Sequence, residues 1–185
     1  MRQGRIVRTF GPAAQQGREV IVLLMGVSGS GKTTTGQALA QASGWPFFDG
    51  DDLHPEPNVA KMAAGQPLTD ADRWPWIDRI GEAMERILER GENGVFACSA
   101  LKKVHRDRLQ HAGDVRIVYM KGDFETIAAR LAARAHRFMP ASLLPSQFAA
   151  LEEPEGALVV DIREAVPIQV AHIRDGLAIA APEQS

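Results

Sequence analysis

The chain has 185 residues, 45% of them hydrophobic, which is enough to bury one sizeable core. Its 21 Lys and Arg against 23 Asp and Glu leave a net charge of −2, which argues against nucleic acid as a partner. No apolar run reaches the about 18 residues that a membrane-spanning helix needs, so no membrane association is expected. Cys98 is the only cysteine. Intramolecular disulfides and multi-cysteine zinc sites are thereby excluded, and a reducing compartment, the cytoplasm, is expected.

Residues 1–18 carry Arg, Gln and Gly but no apolar signal core, and read as a flexible extension ahead of one domain spanning 19–181. The run from Val20 to Met25 is continuous, apolar and β-branched, as in a strand buried on both faces. Immediately after it stands Gly26-Val27-Ser28-Gly29-Ser30-Gly31-Lys32-Thr33, a complete G-x-x-x-x-G-K-[ST] phosphate loop in its required strand, loop, helix context. Its glycines let successive backbone N–H groups point at phosphate oxygens, and the helix that follows adds the positive end of its dipole. Gly26, Ser28, Gly29, Ser30, Gly31, Lys32, Thr33 and Thr34 are the candidate ATP contacts. Lys32 is placed to reach the β- and γ-phosphates, and the Thr33 hydroxyl to ligate Mg²⁺.

A helix is predicted over Lys32 to Ala42, then a second strand over Pro46 to Asp49. If that strand stays extended, Asp49 and Asp51 share one face beside the phosphate loop. A phosphotransferase needs a carboxylate at the attacking hydroxyl and negative charge near the metal. Asp51 takes the first role, and Asp49 the second, through water. Residues 54–73 are rich in Pro and polar residues and read as an irregular flap. A helix over Pro75 to Arg90 places Ile77, Ile80, Met84 and Ile87 on one face.

Further strands are predicted at Gly94 to Ser99, Val115 to Met120 and Ala157 to Ile162, with helices at Phe124 to Ala135 and Pro167 to Ala178. This alternation gives an α/β, three-layer P-loop NTPase fold: a five-stranded parallel sheet flanked by helices, with ligands at the carboxyl ends of the strands. Arg130, Arg134 and Arg137 recur on one helical face that enters the irregular segment 135–154. We read about 130–150 as a mobile lid whose arginines neutralise the triphosphate, with Arg134 at the phosphates and Arg130 near phosphate or adenine. Adenine itself is expected against backbone near 161–166. No guanine-reading Asn-Lys-x-Asp stretch is present, which disfavours a GTPase.

The phosphate loop, Asp49-Gly50-Asp51-Asp52-Leu53-His54-Pro55, the spaced set Asn58, Lys61, Met62, Gly65, Pro67, Leu68, Asp70, Asp72, Arg73 and Trp76, and Cys98-Ser99-Ala100-Leu101-Lys102-Lys103 together resemble the gluconate kinase family. Gln147-Phe148 followed by Leu151-Glu152 and Pro154 extends the match. The resemblance implies ATP- and Mg²⁺-dependent phosphorylation of D-gluconate at its 6-hydroxyl, on a fold similar to shikimate and adenylate kinases, and a homodimer. Lys32, Asp51 and Arg134 would be catalytic. His54, Lys61, Arg73 and Lys102 are candidate donors to the substrate's carboxylate and hydroxyls, beside Asp51. The sequence departs from the family pattern at His136-Arg137-Phe138, where the histidine comes one place early. The rival readings are a kinase for another small acid, such as shikimate, and a nucleotide-dependent switch without a small acceptor.

Overall fold

The computed structural model describes residues 19–133 and 143–180. The expectations for 1–18, for Arg134 and Arg137 and for the middle of the lid lie outside the described residues. Five strands form one sheet: β1 Ile21–Met25, β2 Phe47–Asp49, β3 Gly94–Ala97, β4 Val115–Lys121 and β5 Leu158–Asp161. Their order is β2-β3-β1-β4-β5, and every pairing is parallel.

Because side chains alternate across a strand, β1 feeds two cores. Val22 and Leu24 pack with Leu39 of α1 (Lys32–Ser43), Ile127 and Leu131 of α5 (Phe124–Ala132), and Val170 and Ile173 of α7 (Val166–Leu177). Ile21, Leu23 and Met25 face the other way. They meet Ile77, Ile80, Met84 and Ile87 of α3 (Asp70–Glu89) and Leu109 of α4 (Lys103–Gln110). The result is three layers, with the chain reversing direction across the sheet beside β1. That reversal opens a crevice at the carboxyl ends of β1 and β3.

Four features differ from the sequence expectation. The segment 54–73 is not irregular throughout: it holds α2 (Glu56–Ala63) and the first turn of α3, and the late segment holds α6 (Leu144–Ala150). Helix α3 begins at Asp70, not at Pro75, because Thr69 closes a capping box with Asp72. Pro75 then sits inside the helix at a cost of about 3 kcal/mol. Burying Trp76, Ile77, Ile80, Met84 and Ile87 returns on the order of 10 kcal/mol, so the helix survives it.

Helix α4 was not anticipated, since its buried face is His105, Arg106 and Leu109, which no hydropathy pattern marks. Finally, β2 stops at Asp49 and the chain turns into a 3-10 turn over Gly50–Leu53, so Asp49 and Asp51 are not successive positions of one extended face. Among the described residues, no helix is long and apolar enough to cross a membrane.

Candidate active site

A cavity of about 390 Å³ lies at the carboxyl ends of β1, β2 and β3. Its floor is the phosphate loop. Ser28, Gly29, Gly31, Lys32, Thr33 and Thr34 line it, while Ser30 is buried beneath. The loop needs glycine at its first position: Gly26 has φ 146°, and a Cβ there would lie 2.9 Å from the Met120 carbonyl oxygen. Lys32 Nζ donates to the carbonyls of Gly26 and Val27, each at 3.0 Å, which holds the ammonium over the loop. Burial pushes its pKa down, while Asp51, Cys98 and Asp49 pull it back up.

The turn over Gly50–Leu53 meets the loop directly. Thr33 Oγ1 donates to Asp49 Oδ2 at 2.8 Å, although β3 separates β1 from β2 in the sheet. The other oxygen of Asp49 accepts from the Asp51 backbone N–H at 3.1 Å, so one carboxylate ties the loop's hydroxyl to the start of the turn. Asp51 reaches the cavity from that turn and not from an extended strand. Its side chain, 49% exposed, lines the cavity. The protein packed around it raises its pKa; Lys32 opposes the shift, and Asp49 and Asp52 reinforce it. The turn is pinned from behind, because buried Trp76 donates its indole N–H to the Gly50 carbonyl at 2.6 Å. Gly50 permits this close packing: a Cβ would lie 2.7 Å from the Ala97 carbonyl oxygen.

Of the candidate substrate donors, His54, Arg73 and Lys102 line the cavity together. Arg73 and Lys102 converge on one partner: Asp70 accepts from Arg73 Nη1 at 3.1 Å and from Lys102 Nζ at 2.6 Å. Lys102, with Arg73 adding to it, holds the Asp70 carboxyl below the usual range. Lys61 lies outside the lining and donates to both oxygens of Asp72, at 2.7 and 2.8 Å, lowering that carboxyl to about 2. Arg106, a cation of the same motif region, is buried and donates to the carbonyls of Ala100 and Leu101 at 3.0 and 2.8 Å. It braces the turn after β3, where Ala100 adopts φ 39°.

On the nucleotide side, Arg130 Nη2 donates to the Ile162 carbonyl at 2.6 Å, and its Nη1 lies 3.9 Å from where a Gly31 Cβ would stand. It therefore spans the phosphate loop and the segment after β5.

Two further side chains of the lining were given no role by the sequence reading. Gln147 of α6 reaches over the loop and accepts from the Ser28 N–H at 2.7 Å, linking the later part of the 130–150 segment to the phosphate cradle. His105, almost fully buried, also lines the cavity, and its Nε2 has no hydrogen-bond partner among the described residues. Gln147 and Trp76 both stand in the quoted motifs, but nothing in a motif separates a packing tryptophan from one that pins the turn carrying Asp51.

Thr33 and Asp49 are hard oxygen donors 2.8 Å apart beside the loop, and no group of three or more His, Cys, Asp or Glu among the described residues could form a metal cage. That pairing suits Mg²⁺, which takes one or two protein ligands and completes its shell from phosphate and water.

The shikimate kinase family pattern matches residues 28–155. The thermosensitive gluconokinase of Escherichia coli (strain K12) is 46% identical over 151 residues, covering 81% of this chain and 79% of that protein. Among solved structures, a sugar kinase from Janibacter sp. HTCC2649 aligns with a TM-score of 0.82 at 38% identity, over 88% of this chain and 96% of that one. A gluconokinase from Sinorhizobium meliloti 1021 aligns with a TM-score of 0.76 at 42% identity, over 88% and 92%. With its phosphate loop and these relatives, the chain belongs to the gluconokinase family of P-loop kinases, within the wider shikimate kinase family.

Proposed function

We propose that this chain transfers the γ-phosphoryl group of ATP to the 6-hydroxyl of D-gluconate, giving 6-phospho-D-gluconate and ADP. As a P-loop kinase it uses ATP and a small-molecule acceptor; gluconate is the acceptor that the similarity to gluconokinases supports. The observation that carries the reading is the Thr33–Asp49 hydrogen bond, which brings the phosphate loop and the Asp51 turn into one cavity.

In this mechanism the backbone N–H groups of the loop and Lys32 hold the β- and γ-phosphates, and Arg130, with Arg134, answers the charge that develops on the moving group. Asp51 accepts the proton of the attacking hydroxyl as its oxygen bonds to the γ-phosphorus, and the bond from that phosphorus to the bridging oxygen of ADP breaks in line. Mg²⁺, held by Thr33 and through water by Asp49, would neutralise phosphate charge. Arg73 and Lys102 are the donors for the gluconate carboxylate, and His54 is a donor to hydroxyl. Lys61, committed to Asp72, supports the wall behind them. A cytoplasmic location and a homodimer belong to the same reading.

The test is coupled ADP release with D-gluconate as sole acceptor, set beside shikimate and other sugar acids. Gluconate-dependent turnover is expected, falling at least about a hundredfold in Lys32→Ala and Asp51→Asn. Turnover that ignores both substitutions, or a panel with no preference for gluconate, would overturn the assignment.

A further inference from the structure

The wall behind Asp51 holds a chain of hydrogen bonds whose directions chemistry fixes. Asn58 of α2 is buried, and its Nδ2 lies 2.8 Å from the Asp72 carbonyl oxygen. A carbonyl only accepts, so the atom facing it is the amide NH₂ and not the amide oxygen. The same NH₂ lies 3.4 Å from His54 Nδ1. An amide NH₂ only donates, so Nδ1 is the acceptor, and in a neutral ring the proton resides on Nε2.

Nε2 faces the cleft, 4.0 Å from Asp51 Oδ1. The imidazole lies flat on Trp76, with ring centroids 4.1 Å apart and planes 15° apart, and Trp76 in turn holds Gly50, the residue before Asp51. The charged groups that face the ring are Asp51 of the turn and Arg73 of α3; Asn58 of α2 is uncharged. Burial first, then Arg73, hold the His54 pKa down to about 4, which keeps the ring neutral near pH 7.

We infer that Asn58 is a positioning residue that locks His54 as a neutral Nε2–H donor, so that His54 and Asp51 grip one acceptor hydroxyl between them. The inference rests on the reading that Asp51 serves that hydroxyl. The 4.0 Å separation is too wide for a direct hydrogen bond and suits one bridging oxygen. A hydroxyl seated there accepts from Nε2–H and gives its own proton to Asp51, which leaves its remaining lone pair for phosphorus. The opposite tautomer would present two acceptors to a group with one proton, and the hydroxyl would lose its defined direction.

The decisive measurement is a long-range ¹H–¹⁵N correlation spectrum of the full chain without substrate, with the ring assigned by loss of its signals in His54→Gln. His54 is expected to show a protonated Nε2 and a bare Nδ1, unchanged from about pH 5.5 to 8. A protonated Nδ1, or titration near the ordinary histidine value, would overturn the inference even if Asn58→Asp does not fold.

In Asn58→Asp the carboxylate can only accept, so Nδ1 gains a proton. The expected result is that altered ring signature together with a fall of at least about tenfold in kcat for gluconate, the KM for ATP staying within about twofold. A changed ring with unchanged kcat would also defeat it. If the unsubstituted chain shows no gluconate-dependent turnover, the proposed substrate fails, and the spectrum reads the tautomer independently of that.

Discussion

Replacing Trp76 with Phe isolates the strut under the Gly50–Leu53 turn. Phenylalanine keeps an aromatic face for His54 but removes the indole N–H that donates to the Gly50 carbonyl at 2.6 Å, and Gly50 is buried, so water does not readily replace the donor. An unsatisfied buried carbonyl costs about 1–3 kcal/mol. Shrinking the bicyclic indole to a single phenyl ring at a site 2% exposed adds about 1 kcal/mol as lost packing. The sum, about 3 kcal/mol, lowers the melting temperature of a chain of this length by about 6–12 °C.

Because the freed segment carries Asp51, kcat for gluconate should fall about tenfold while the KM for ATP, set by the phosphate loop, stays within about twofold. Thermal unfolding followed by circular dichroism, with steady-state assays on the same samples, reads both effects. Trp74→Phe is the control: Trp74 is 38% exposed, and its loss should cost under about 1 kcal/mol. A Trp76→Phe protein that melts within about 2 °C of the parent at unchanged kcat would refute the strut.

Acid should destabilise the fold before most carboxylates titrate. The folded pKa of His54, about 4, lies below the 6.5 of an unconstrained histidine. Between those values the unfolded chain binds a proton that the folded one refuses. This contribution is therefore complete above about pH 6.5 and is lost as pH falls, amounting to about 2.5 kcal/mol by pH 4.5. Urea unfolding at pH 8 and 4.5 should show that difference shrinking in His54→Gln, and an unchanged difference would count against a suppressed pKa. Thr69→Ala removes the hydroxyl that accepts from the Asp72 N–H and donates to its carboxylate. It should cost about 1 kcal/mol, or about 2–4 °C by calorimetry, and a neutral result would show that α3 does not depend on its capping box.

Much of the site is written locally in the chain. The glycines of 26–31 can serve only a tight loop after a buried strand, and all five strands stand close to the expected positions, β1 as a continuous apolar run. The helices with an apolar stripe were legible for the same reason. Helix α4, whose buried face is largely His and Arg, and α2, which buries Asn58 and Met62, were not, because hydropathy carries no mark of a polar side chain that finds partners elsewhere.

The phosphate cradle, the parallel sheet beneath it and the presence of an acid beside it can be read from residue order alone, since each depends on backbone freedom or on a period of two within one short segment. Which charges meet was settled by how the elements pack. That packing slid β3 between β1 and β2 yet let Thr33 reach Asp49, gave Lys61 to Asp72, joined Arg73 and Lys102 on Asp70, and set Asn58 against His54. Those pairings depend on where separate helices dock, and docking is governed by apolar faces that say nothing of the polar residues they carry along.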